Sequence, residues 1–418
     1  MIHGGLRYLE TYEFALVRKA LLESELLAKL APHLVRPFPI HIPYQRNQRP
    51  WWMIRAGLFL YNHLARRPHY QKAHGIRFGV DSPLVAELDK GFCYSDAQVD
   101  DARLVVLNAR QAARHGADIL TRQECTGLVE QGDVWKIETR HKDKEETGVL
   151  HARAVVNATG PWVSQLITEA TLKAPRHQVR LVKGGHLVIP QLYPQKRGYL
   201  LQNDDGRIVF VLPFQDRFTL IGTTEVEIDY PTDNAGVSDQ ETGYLIDTVN
   251  RYFRCQTNAE QVVYRYSGIR PLIDGSAASA TRASRDYKIE FEDTALPLLS
   301  VYGGKVTTYR LLATQAVERM RDYFPAMRAS STDTATLPGG DFDSLDTLSE
   351  ELTQAAPWVE SATRQRWLDS YGSLALNLAR SGSDESHARD FGFGLTQTEV
   401  DYLVEHEWAV CADDILWR

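Results

Sequence analysis

The sequence predicts a mixed α/β chain in which a parallel-strand domain is interleaved with an antiparallel-sheet domain and followed by a helical C-terminal domain. Three observations predict it. Two apolar runs, Ala152–Asn157 and 297–302, end in small residues (Ala-Thr-Gly and Gly-Gly) and lead into helix-forming segments, as parallel βα units do. Residues 178–230 are short apolar or alternating runs separated by turn residues, the pattern of antiparallel strands. Beyond Pro338-Gly339-Gly340 the chain is acidic, free of Lys and helical in pattern.

Taken in order, residues 5–31 read as one helix, with Leu6, Leu9, Ala20, Leu21, Leu27 and Leu30 among charged residues and Pro32 as its stop. The Pro-punctuated stretch 37–50 is expected to be extended, and the aromatic-rich stretch 51–66 helical. Residues 100–115 form a helix opened by Asp and closed by Gly116. Short strands are expected at Asp118–Thr121, near Gly127–Glu130, at Val134–Thr139 and at Ala152–Asn157, then a helix at 161–170. Further strands follow at Arg180–Pro190, Gly198–Leu201, Ile208–Pro213, Arg217–Gly222, 262–274, 285–292 and 297–302. Helices are expected at 238–254 and 305–323.

Composition narrows the function. At 418 residues the chain is long enough for two or three cores. Residues 331–418 carry 17 Asp/Glu against 5 Arg, a net of −12, and residues 1–330 a net of +5. A basic body suits an anionic ligand or lipid headgroups. The negative total and the lack of a basic stripe interleaved with aromatics argue against nucleic acid. Four scattered cysteines (Cys93, Cys125, Cys255, Cys411) suit a reducing compartment and offer no zinc knuckle, so no metal is expected. No apolar run reaches the roughly 20 residues that span a bilayer, and no signal peptide is read at the start, so the expected location is cytoplasmic or peripheral on a membrane's cytoplasmic face.

Several local patterns carry chemistry. In Leu298–Arg310 an apolar strand meets Gly303-Gly304, Lys305 and then Val306, Thr307 and Thr308 at a helix start. Glycines permit close backbone approach, and a helix N-terminus offers unpaired N–H groups. It is not a Walker A loop, since Val follows the lysine. Ala158-Thr159-Gly160 ends a second buried strand, where open α/β sheets seat cofactors. Arg270, held between Gly268 and Pro271, suits grip on phosphate or stabilisation of charge developing on oxygen. His186, at the entrance of an apolar strand, is a candidate base or a satisfied structural histidine. Arg7 and Tyr8 follow the Gly4-Gly5 turn and can hold an anion. Trp51-Trp52 with Arg46, Arg49, Arg55, Arg66 and Arg67 suits either a membrane surface or a packed helix with a solvated basic face.

In order along nearly the whole chain, His3–Glu10, Phe92–Asp101, Val156–Trp162, Arg180–Ile189, Ile208–Glu227, Tyr264–Leu272, Leu298–Arg310, 401–408 and 412–418 resemble the FAD-dependent, respiratory-chain-linked glycerol-3-phosphate dehydrogenases. The resemblance implies an FAD-binding Rossmann-like domain (1–36, 92–170, 293–328), a substrate domain (37–91, 171–292) and a helical domain (337–418). It implies oxidation of glycerol 3-phosphate at C2, with hydride to FAD and electrons passed to quinone at a membrane. Arg270 and His186 would then be catalytic. Arg7, Tyr8, Arg270 and Lys305 would hold substrate, and Ala158–Gly160 with Gly303–Thr308 would line the flavin. A homo-oligomer is compatible with this reading. The family's G-x-G-x-x-G turn is nowhere in the sequence, so the Rossmann-like domain is expected to be incomplete, by roughly one βαβ unit of ~30 residues, with FAD held weakly and activity lost. A shortened C-terminus is expected too. A silent remnant, a phosphosugar binder, or a flavin oxidase of amines or amino acids are the alternatives.

Overall fold

The computed structural model describes residues 1–46, 49–232, 235–273, 286–382 and 389–417. Strands expected to reach 274 and to begin at 285 have those ends outside the described residues, as does Arg418. The expected helix over 5–31 is instead a single 3-10 turn, Leu6–Leu9, and a separate helix α1 (Phe14–Leu30). Tyr12 takes φ 60°, which ends the first turn, and Thr11 Oγ1 donates back to the Tyr8 carbonyl. α1 then buries Val17, Ala20, Leu21 and Leu27 on one face.

The chain continues through β1 (Arg36–Pro43), α2 (Trp51–His63), β2 (His74–Arg77), β3 (Lys90–Gln98) and α3 (Asp101–Arg114). Asp100 caps α3 through the Arg103 N–H at 3.0 Å. Next come β4 (Gln123–Gln131), β5 (Val134–His141) and β6 (Thr147–Ala152), a three-stranded antiparallel meander. No strand forms at 118–121, and the apolar strand at 152–157 is confined to β7 (Val155–Asn157), because residues 147–152 pair into the meander first. After α4 (Val163–Thr171) lie β8 (Val179–Pro190), β9 (Gly198–Gln202), β10 (Ile208–Phe214), β11 (Phe218–Gly222), β12 (Val226–Ile228), α5 (Asp239–Tyr252) and β13 (Tyr264–Ile273). β14 (Tyr287–Phe291), β15 (Leu298–Gly303) and α6 (Tyr309–Arg319) follow, with a 3-10 turn at Val306–Thr308 before α6. The last five helices are α7 (Leu345–Ala355), α8 (Ser361–Tyr371), α9 (Ala375–Ser381), α10 (Gln397–Glu407) and α11 (Ala412–Leu416).

A nine-stranded sheet runs β12-β8-β11-β10-β9-β1-β3-β2, with β13 paired along β8. Because β13 takes one edge of β8 over its full length, β11 and β12 must share the other edge. α5 covers this sheet through Leu245, Val249 and Tyr252, which pack with Leu187, Tyr199, Val209 and Ile221 in a closed core. Each such side chain contributes about 1.5–3 kcal/mol on burial. The second sheet is β14-β15-β7, in which β15 and β7 are parallel. The acidic C-terminal segment is helical and has its own core of Leu352, Trp367, Tyr371, Leu378 and Leu403. It is pinned to α3 by ions: the Glu407 carboxylate accepts from Arg103 (Nη2 at 2.9 Å) and from Arg110 Nη1 at 3.1 Å, and Arg103 and Glu407 are 0% exposed.

Candidate active site

The parallel register aligns Leu298 with Val155 and Ser300 with Asn157, so both carboxyl ends emerge side by side. After β7, buried Asn157 donates to the Val163 carbonyl at 3.0 Å and accepts from Thr159 Oγ1 at 2.7 Å, fixing the Ala158-Thr159-Gly160 bend. Ala158 and Thr159 are exposed, and a side chain on Gly160 would meet nothing within 4 Å. After β15, Gly303 and Gly304 take φ 75° and 109°, values that residues with a Cβ rarely adopt. Thr307, at the turn that opens α6, is buried and accepts from the His3 N–H at 3.2 Å. Lys305 Nζ stands 3.6 Å from the centre of the Tyr8 ring. The strand ends, the lysine and the N-terminal turn therefore meet in one place.

Arg270 and His186 meet on the antiparallel sheet. Register pairs Tyr266 with His186, Gly268 with Gly184 and Arg270 with Val182, so the four side chains project to one face with the glycines between them. The Arg270 guanidinium lies over Gly184, where a Cβ would come within 2.8 Å of Nη2. Its Nη1 is 3.8 Å from the Glu225 carboxylate. The His186 ring stacks on Tyr266, 4.9 Å between centroids and 7° from parallel, and lies so close to Gly222 that a Cβ there would overlap it. Burial first, and the Arg270 cation second, lower the His186 pKa to about 4. Its imidazole is therefore neutral at physiological pH, and holding a proton there is disfavoured. Beneath the glycine pair, Lys183 donates to Glu241 at 2.8 Å, Thr224 Oγ1 to Glu241 at 2.7 Å, and the Gly185 N–H to Thr224 Oγ1 at 2.8 Å.

Arg7 points from the N-terminal turn to the β9–β10 connection, where Nη2 donates to the Gly206 carbonyl at 2.9 Å. The two clusters join where Ile273, at the end of β13, packs against Gly303. Sequence reasoning named Arg7, Tyr8, His186, Arg270, Lys305 and both strand ends. It assigned no role to Glu225, Glu241 or Asp96. The signal for Asp96 is a carboxylate inside an otherwise uncharged run, Gly91–Gln98. One expectation is corrected: Arg67 is not part of a solvated basic face. It is buried between the Tyr61 and Tyr70 rings and donates to the Ser95 carbonyl at 3.2 Å. Arg49 is engaged by Glu10.

An α/β core whose paired strand ends run into glycine turns, beside a sheet that carries a cation and an imidazole, can seat a cofactor against a substrate face. The family model described as FAD dependent oxidoreductase matches residues 1–310, and that of the C-terminal domain of alpha-glycerophosphate oxidase matches residues 330–418. Over its whole length the chain is 43% identical to the glycerol-3-phosphate dehydrogenase of Pseudomonas aeruginosa, covering 82% of it, and 41% identical to the aerobic glycerol-3-phosphate dehydrogenase of Escherichia coli, covering 84%. It is 39% identical to the D-erythritol 1-phosphate dehydrogenase of Brucella abortus, covering 85%. The FAD complex of the Bacillus halodurans glycerol-3-phosphate dehydrogenase superposes with a TM-score of 0.73 at 24% identity, over 95% of this chain and 75% of that one. The chain belongs to the glycerol-3-phosphate dehydrogenase family of FAD-dependent enzymes.

The described residues fit one end of that cofactor. Exposed Ala158 and Thr159, the open side of Gly160 and the helix start after Gly303-Gly304 form an uncovered backbone surface able to take a flat ring system. No G-x-G-x-x-G occurs in the sequence, and no described residue is assigned to the pyrophosphate.

Proposed function

We propose that this chain oxidises sn-glycerol 3-phosphate at C2 to dihydroxyacetone phosphate, with quinone as the final electron acceptor. The observation that supports it most is that His186 and Arg270 lie on one sheet face, with the Arg270 guanidinium over Gly184. FAD, when bound, supplies the hydride acceptor. His186 takes the C2 hydroxyl proton at an imidazole nitrogen as the C–H bond breaks and the carbonyl forms. Arg270 stabilises the negative charge that grows on the C2 oxygen. Arg7, Tyr8 and Lys305 hold the phosphate end, and Ala158–Gly160 with Gly303–Thr308 line the flavin. In this reading residues 1–36, 92–170 and 293–328 serve the cofactor, 37–91 and 171–292 the substrate, and 337–418 form the helical domain. The erythritol phosphate relative supports a second substrate, a four-carbon polyol phosphate, at the same site.

The test supplies FAD in large excess. Under anaerobic conditions glycerol 3-phosphate should bleach the bound flavin absorbance. Bleaching by an amino acid or amine, with none by either polyol phosphate, would overturn the reading.

We also propose that α2 rests on an anionic membrane surface. Trp52 (65% exposed), Met53 (43%), Phe59 (61%) and Leu60 (44%) form an apolar stripe around a shallow concavity, with Arg55 within it and Arg66 exposed nearby. No helix among the described residues is long and apolar enough to cross a membrane. Trp52→Ser with Phe59→Ser should weaken binding to phosphatidylglycerol-containing vesicles by roughly tenfold or more, since each buried aromatic contributes about 1.5–3 kcal/mol. Sedimentation of the double variant with vesicles at the wild-type level would refute the contact.

A further inference from the structure

We propose that Asp96 is the positioning residue of the substrate turn: it fixes the backbone at Gly4 and thereby the places of Arg7 and Tyr8. The proposal rests on the reading that Arg7 and Tyr8 hold the phosphate of the substrate. β3 lies between β1 and β2 and carries Asp96 into an interior where it is 1% exposed. A carboxylate so enclosed is retained only where donors and a countercharge compensate it. Two donors and one cation converge on one oxygen. Oδ1 accepts from Tyr61 Oη at 2.6 Å and from the Gly4 N–H at 3.1 Å, and Arg67 Nη1 stands 3.9 Å away. Arg67 is itself held between two tyrosine rings, so the countercharge is rigid.

Neighbouring contacts fasten the two residues before Gly4, and Asp96 holds Gly4 itself. Ile2 and Ala97 exchange both backbone hydrogen bonds, at 3.0 and 2.9 Å. His3 is fastened to Thr307 from the other side. Gly4 has no room for a side chain, because a Cβ would overlap Leu21 and the Tyr61 hydroxyl. Gly5 then turns with φ 73°, and the Tyr8 N–H closes the turn on the Gly5 carbonyl at 2.9 Å. Arg7 and Tyr8 thus inherit their direction from a backbone whose one side-chain acceptor at Gly4 is Asp96. Burial raises the Asp96 pKa to about 6, against the pull of Tyr61, Gly4 and Arg67 in the other direction. This residue touches neither substrate nor cofactor in the reading above. It acts through the turn.

The test uses the full chain with FAD in excess and two readouts: amide hydrogen exchange of the segment 2–9, and glycerol 3-phosphate affinity by calorimetry. Asp96→Ala should speed exchange at the turn and raise the glycerol 3-phosphate Kd, each by roughly tenfold or more, as expected for loss of a hydrogen bond to a charged group. Asp96→Asn keeps an acceptor oxygen and should bring both readouts back to within about threefold of wild type. Tyr61→Phe leaves the Gly4 bond in place and should leave the turn protected, which keeps the idea testable if the alanine variant does not fold. Arg270→Ala should raise Kd without changing exchange. Native-like exchange in Asp96→Ala, or fast exchange with an unchanged Kd, overturns the proposal, and so does an Asn variant as damaged as Ala. If wild type binds no glycerol 3-phosphate, the substrate reading fails, while the exchange data still decide whether Asp96 holds the turn.

Discussion

Arg270→Ala should lower kcat/KM for glycerol 3-phosphate by about 10²-fold or more, which is about 2.7 kcal/mol of lost transition-state stabilisation. The guanidinium lies over Gly184 on the face that carries His186, and the Gly268–Pro271 backbone is held in the β8–β13 ladder. The same substitution has a signature in pH. The Arg270 cation helps to keep the His186 pKa near 4, after burial. Removing it raises that pKa, so the acid limb of the kcat/KM profile moves to higher pH. A stopped-flow pH series of flavin reduction reads both effects. Activity near wild type would remove Arg270 from the chemistry, and a fall with an unmoved acid limb would separate it from His186.

Glu407→Ala should reduce the free energy of unfolding by about 3–5 kcal/mol, the cost of leaving buried charge without its partner. Its carboxylate serves two arginines of another domain, and both Arg103 and Glu407 are out of contact with water. Once the carboxylate is gone, Arg103 keeps the Ser370 carbonyl at 3.1 Å, the face of Tyr371 and the more distant Asp100 charge. Urea denaturation followed by tryptophan fluorescence measures the loss. A change under about 1 kcal/mol would mean that the arginines find water or new acceptors, and that the interface is looser than its geometry.

Where burial left a period, the sequence could be read. β8, β10 and β11 alternate or run apolar, and they form at the expected places. His186 and Arg270 were found because glycine and proline neighbours single them out. What could not be read is that they lie on one sheet face, since antiparallel register depends on partners far apart in the chain. β3 escaped notice because seven successive residues, including Ser95 and Asp96, are buried on both faces, which erases the alternation. β6 escaped for the opposite reason, being exposed along most of its length. The break after Leu9 is a matter of one left-handed residue, Tyr12, which hydrophobic periodicity does not register. Asp96 and Glu407 act through partners 92 and 304 positions away, so their importance is a property of the folded chain.

The pairing of α3 with Glu407 also limits how this architecture can be inherited. α3 begins where β3, the strand bearing Asp96, leaves the sheet, and its two arginines are shaped to a receptor built from α8 and α10. A C-terminal helical unit without a carboxylate at the place of Glu407 would leave the α3 arginines without their partner. Recombination at the Pro338-Gly339-Gly340 boundary looks harmless along the sequence, yet it would strand charge in the interior of both halves. The modular unit is therefore discontinuous: α3 and the acidic tail travel together or not at all.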